Sequence, residues 1–183
     1  MKIIKWKILD REVGFKAQIF RYVKVKSQSP TNGQVGDFDI VQCLNWVNVI
    51  AITKDQKIVL IKQYRHGTEE VTVEIPGGAL NVGEDPRIGA ERELREETGY
   101  TSTKWSHLGR VAANPAFMSN YCDTYLALDA EKTHETEFDA FEEIEVYLKD
   151  KKDLPSMVRT GEINHSIVIA AFYFLATGDS GVG

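Results

Sequence analysis

Asp85 and Gly99 bracket one helix, and that helix constrains the chain more than any other feature. Asp85 is a capping residue, Pro86 suits the first helical position, and Gly99 stands where a left-handed C-terminal cap belongs, so a helix is predicted over 86–98. Residues three and four apart on a helix share a face, which brings Glu93, Glu96 and Glu97 onto one side within about 6 Å. Like charges that close repel unless cations neutralise them. An all-oxygen carboxylate cluster suits hard divalent ions, Mg²⁺ or Mn²⁺. The alternative is a solvated face whose glutamates pair with Arg92 and Arg95.

Elsewhere the pattern is that of an ordinary globular chain of 183 residues, 43% hydrophobic and 27% charged, which favours one main domain with a small appendage. Phe15, Ala17, Ile19, Val23 and Val25 alternate with polar residues, which predicts a half-buried strand over 15–25. A turn cluster at 29–33 and a long strand-like run over 38–53 follow. A polar loop at 54–57 leads into the apolar run 58–61, giving a hairpin. Further strands are predicted at 71–75, 105–111, 124–128 and 144–148, with helices from Asp153 and Pro155 to about Gly161 and over 164–176. Residues 1–45 offer too few strands for a core of their own, so they are expected to pack on the main domain or on a partner subunit.

Net charge is −5 and no Lys/Arg-rich block occurs, which argues against nucleic acid as a partner. Cys43 and Cys122 lack CxxC spacing, so two buried thiols are expected rather than a zinc site or a disulfide. Residues 1–10 do not read as a signal peptide, and the apolar run 167–176 is too short to span a bilayer; a cytoplasmic protein without a membrane partner is the expectation.

Gly78, five residues, Glu84, seven residues, then Arg92-Glu93-Leu94-Arg95-Glu96-Glu97-Thr98-Gly99-Tyr100 resembles the complete box of the Nudix hydrolases. Tyr100, at the loosest position, is the mildest departure. The resemblance implies an α/β Nudix fold, a mixed sheet sandwiched between helices, here preceded by an N-terminal antiparallel sheet. It also implies a metal-dependent pyrophosphohydrolase. Glu93, Glu96 and Glu97 with the Gly77 carbonyl would hold the metal, while Glu84 and Arg92 would orient those ligands. Cations make sense of the reaction, because the charge on a diphosphate repels an attacking hydroxide.

Three features outside the box resemble the ADP-ribose pyrophosphatase branch: Pro115, fifteen positions after Tyr100, and the segments 60–65 (Leu-Ile-Lys-Gln-Tyr-Arg) and 73–78 (Val-Glu-Ile-Pro-Gly-Gly). The implied substrate is a nucleoside diphosphate sugar, ADP-ribose or similar, split into a nucleoside monophosphate and a sugar phosphate. By the same resemblance Arg65 contacts phosphate or ribose, and Glu74 bonds substrate or the opposite subunit. Residues 114–120, Phe117 and Ser119 among them, line the sugar-facing wall. The acidic run 137–143 supplies the base. Glu142 matches a family carboxylate, but the acid expected two positions earlier is Ala140. Glu142 or Glu143 then acts, with Glu96 beside the reacting groups, unless Asp139 or Glu137 swings in or no side-chain base is needed. Residues 1–45 are expected to be a dimerisation element, 46–183 the Nudix hydrolase domain, and the protein a homodimer. The rival readings are a pyrophosphatase that cleanses the (d)NTP pool and a catalytically silent module that binds ADP-ribose or a nucleotide.

Overall fold

The computed structural model describes residues 3–178; residues 1–2 and 179–183 lie outside it. The chain divides into two compact units, one of residues 1–44 with 112–121, the other of residues 45–111 with 122–183.

The first unit holds a three-stranded antiparallel sheet of β1 (Lys7–Lys16), β2 (Phe20–Gln28) and β3 (Val35–Cys43), in that order. The strand expected over 15–25 is in fact two. The chain turns at 17–19, where the Ala17 N–H donates to the Phe20 carbonyl at 2.8 Å. Alternation alone cannot reveal such a turn when it contains neither Gly nor Pro. Val23 and Val25 are buried as expected, but Phe15 and Ile19 are exposed. All ten residues of β1 are exposed, Ile8, Val13 and Phe15 included. Residues 112–121 join this unit through Val41, whose N–H donates to the Phe117 carbonyl at 2.8 Å and whose carbonyl accepts from the Ser119 N–H at 3.1 Å.

The run expected as one strand over 38–53 breaks at Leu44 and Asn45, because its halves serve different sheets. In the second unit come β4 (Trp46–Ile52), β5 (Lys57–Arg65), β6 (Glu70–Glu74), β7 (Gly77–Ala79), α1 (Pro86–Thr98), β8 (Tyr100–Thr101), β9 (Lys104–Ala112), β10 (Tyr121–Leu128), β11 (Glu131–Lys132), β12 (Ile144–Asp150), α2 (Leu154–Thr160) and α3 (Ser166–Thr177). The main sheet runs β12-β5-β4-β10-β9, with β6 on β5 and β7 on β4. It is mixed: β4 and β10 are parallel, while β5 pairs antiparallel with β4, β6 and β12.

Alternation along β4 builds both faces. Val47, Val49 and Ala51 join Ala90 and Leu94 of α1, whereas Ile50 and Ile52 join Leu154, Met157, Val168 and Ala171 of α2 and α3. The sheet therefore lies between helices, and each buried Leu, Ile or Val contributes roughly 1.5–3 kcal/mol. Of the two cysteines, Cys122 is buried and Cys43 half-buried. No helix among the described residues is long and apolar enough to cross a membrane.

Helix α1 has the ends its sequence predicts. The Asp85 carboxylate accepts from the N–H groups of Arg87 (2.9 Å) and Ile88 (3.3 Å), and Gly99 adopts the left-handed conformation (φ 73°), its N–H donating to the Arg95 carbonyl. Gly161 closes α2 in the same way (φ 81°). The two glycines differ in surroundings: a Cβ on Gly99 would stand 2.1 Å from the His134 carbonyl oxygen, whereas one on Gly161 meets nothing within 4 Å. Gly161→Ala should therefore cost only about 1–2 kcal/mol, for the left-handed backbone. Gly99→Ala should cost about 2 kcal/mol more, because a backbone atom must move. Equal losses in urea unfolding would contradict the difference.

Candidate active site

The acidic side of α1 packs against the strand that precedes it. Glu93 and Glu97 are buried, at 9% and 3% exposure, and the Gly77 N–H donates to Glu97 Oε2 at 2.8 Å. Gly78 passes so close that a Cβ there would lie 2.7 Å from the Glu93 carboxylate. Burial pushes the Glu93 carboxyl up to about 7, with Glu96 and Glu142 adding repulsion and Arg92 opposing it. Burial likewise raises Glu97 well above the usual carboxylate range, against the bond from Gly77. Two adjacent buried carboxyls thus favour a proton or a cation between them.

Arg92 organises the rest. Its guanidinium forks onto Glu84 through Nε (2.9 Å) and Nη2 (3.0 Å), and Nη1 donates to Glu93 Oε1 (2.8 Å) and Glu96 Oε2 (3.1 Å). The bond from Arg92 outweighs burial and holds Glu84 down to about 2. Glu96 is half-buried and turned to Arg92 and Arg95. Pairing with arginine thus takes in both Glu93 and Glu96, whereas Glu97 is held by the Gly77 N–H. Among the described residues no three His, Cys, Asp or Glu side chains gather as a ready metal cage. Helical spacing puts three carboxylates on one face, but neighbouring arginines choose where the third one points.

The acidic loop is fastened to the end of α1. The N–H groups of Thr133 and His134 donate to the Gly99 carbonyl, the Glu137 N–H donates to the Glu96 carbonyl at 2.8 Å, and the Glu137 side chain pairs with Arg95 at 3.2 Å. Glu142 is half-buried and accepts from the Asp139 N–H at 3.0 Å; its charge is felt by Glu93, Glu97 and Arg65. Glu143 is exposed.

Arg65 and Glu74 meet each other. Arg65 Nε and Nη2 donate to the two Glu74 oxygens, both at 2.7 Å, while Thr72 Oγ1 (2.6 Å) and His165 Nδ1 (2.8 Å) complete the shell. Glu74 is 3% exposed. Burial acts to raise its carboxyl, but Arg65, His165 and Thr72 outweigh that and hold it far below the usual range. The resemblance implies separate partners for Arg65 and Glu74, whereas here they bind one another. No local signal links Glu74 to a histidine 91 residues further on. Phe117, 45% exposed, and Ser119 belong to the other unit.

The model of the NUDIX domain matches residues 45–169. The chain is 31% identical, over 96% of its length and 95% of the relative's, to a Bacillus subtilis (strain 168) protein named ADP-ribose pyrophosphatase. It is 39% identical over 126 residues, 69% of the chain and 68% of the relative, to a Bacillus methanolicus protein named methanol dehydrogenase activator. A crystal structure of an ADP compounds hydrolase shares the fold, with a TM-score of 0.83 over 96% of this chain and 95% of that one, at 21% identity.

Proposed function

The chain belongs to the NUDIX family, and from that premise we propose that it hydrolyses the diphosphate bond of nucleoside diphosphate sugars such as ADP-ribose, giving a nucleoside monophosphate and a sugar phosphate. The observation that carries this reading is the pair of buried carboxyls, Glu93 and Glu97, both raised by burial beside Gly77 and Gly78. Carboxylates raised in this way fit a hard divalent cation, Mg²⁺ with Mn²⁺ able to substitute, better than they fit solvent. Glu93, Glu97, the Gly77 carbonyl and Glu96, once Glu96 leaves Arg92, would hold it. A cation held by these groups would supply shielding of the diphosphate charge and a more acidic water.

The chain's own groups do the rest. Arg92, itself held by Glu84, donates to Glu93 Oε1 and orients that carboxylate. We assign the proton of the attacking water to Glu142 rather than to exposed Glu143; the coupling of the Glu142 charge to both buried carboxyls supports this choice. Arg65 offers Nη1, outside its fork with Glu74, to a phosphate oxygen. The wholly exposed β1, with Ile8, Val13 and Phe15 on it, supports a homodimer that covers the N-terminal sheet.

The test is product identification in Mg²⁺ across sugar nucleotides and dNTPs. AMP and ribose 5-phosphate from ADP-ribose are expected. Inorganic pyrophosphate from a dNTP, with ADP-ribose untouched, overturns the reading.

A further inference from the structure

We propose that His165, at the start of α3, is a positioning residue for substrate binding: its Nδ1–H holds the Glu74 carboxylate, and Glu74 in turn holds Arg65 in the orientation that receives a phosphate. The proposal rests on the diphosphate reading above and extends it to a residue on a different element.

The geometry carries it. A carboxylate offers about four acceptor positions. At Glu74 all are taken within the chain: two by the Arg65 fork, one by Thr72 and one by His165. Glu74 therefore has no capacity left for a substrate hydroxyl, and its function is to hold. An ionised carboxylate brings no proton, so the 2.8 Å contact needs the proton on Nδ1 of His165.

The other end of the relay is coupled to the site through charge. The fork uses Arg65 Nε and Nη2 and leaves Nη1 outside it, and Arg65 lies within electrostatic range of Glu97 and Glu142. Glu74 also ends β6 only three residues before Gly77, whose N–H holds Glu97. The His165 carbonyl accepts the first N–H groups of α3, but its side chain makes no capping bond and reaches the sheet at Glu74 instead. A second contact, from Asn48 Nδ2 to the Ile167 carbonyl at 3.3 Å, fixes the same helical turn to β4. Without His165, one lobe of Glu74 opens and the fork can rotate about its remaining bonds.

Arg65 meets the diphosphate before and during reaction alike, so the relay should appear in KM more than in kcat. With Mg²⁺ and ADP-ribose, His165→Ala should raise KM about tenfold and change kcat less than about twofold, the scale of one lost charge-assisted hydrogen bond. His165→Asn, whose amide nitrogen falls near the Nδ1 position, should stay within about twofold of the parent KM. In an Arg65→Ala background, His165→Ala should add less than about twofold, because the residues act as one unit.

An unchanged KM in His165→Ala overturns the proposal, as does a His165→Asn enzyme as impaired as the alanine variant, or effects that multiply in the double variant. The Arg65 Nε–H resonance of isotope-labelled protein reads the fork without substrate. It should shift in His165→Ala and persist in His165→Asn, and a resonance indifferent to both overturns the hold on Arg65. A parent protein that cleaves no diphosphate sugar defeats the function reading instead, and the resonance still decides the relay.

Discussion

Glu97→Gln is expected to abolish hydrolysis while making the cation-free protein more stable. Glu97 is buried to 3% exposure and its carboxyl is raised by that burial, so in its ionised form it destabilises the fold. Glutamine keeps an oxygen for the Gly77 N–H but removes the charge, which should raise stability by about 1–3 kcal/mol in chelator at pH 8. Turnover should fall about 10³-fold or more, since a ligand that neutralises charge in the transition state is lost. The same electrostatics set a pH dependence. A carboxyl raised in the folded state binds more protons there than in the unfolded chain, so stability falls as pH rises from the ordinary value towards the raised one. For Glu93 that window runs from 4.5 to about 7, and the loss is about 3 kcal/mol. Calorimetry in chelator should show the melting temperature declining across this window, with Glu93→Gln flattening much of the decline. A melting temperature that rises through the window would contradict the assignment.

Gly77→Ala should cause the second large loss, and Gly78→Ala should separate fold from function. A Cβ on Gly77 would stand 2.3 Å from the Val47 carbonyl oxygen and 2.7 Å from the Asn48 Cα, both backbone atoms of β4. Neither can swing away, so β7 must leave β4 and the bond from Gly77 to Glu97 goes with it. We expect a cost of about 3 kcal/mol and negligible activity. A Cβ on Gly78 instead meets the end of the Glu93 side chain at 2.7 Å. That group can turn, so stability should change by under about 1 kcal/mol while activity falls with the displaced ligand. Urea unfolding beside steady-state rates tests both, and a Gly77→Ala protein of parental stability would contradict the close approach.

How far the sequence reveals this molecule depends on how local each signal is. Helix α1 is legible because Asp85, Pro86 and Gly99 each act within one turn. Glu93 and Glu97 are legible because helical spacing alone puts them side by side. The turn at 17–19 and the break at Leu44 and Asn45 are not, since strand-forming residues continue through both. Strand register sets Arg65 opposite Glu70 rather than Glu74, so only the reach of the Arg65 side chain joins that pair, and the return of α3 across the sheet brings in His165; neither contact is written in a local pattern. The same holds for Glu96, whose position on the helix is predictable but whose side chain follows Arg92 and Arg95.

Mn²⁺ binding, followed by loss of the free-ion resonance signal at pH 8, tests most directly whether the buried side of α1 is a cation site. The parent protein should bind Mn²⁺ and release it to excess Mg²⁺, and Glu93→Gln and Glu97→Gln should each bind at least about tenfold more weakly. Undiminished binding by both variants would place the cation elsewhere and contradict the account.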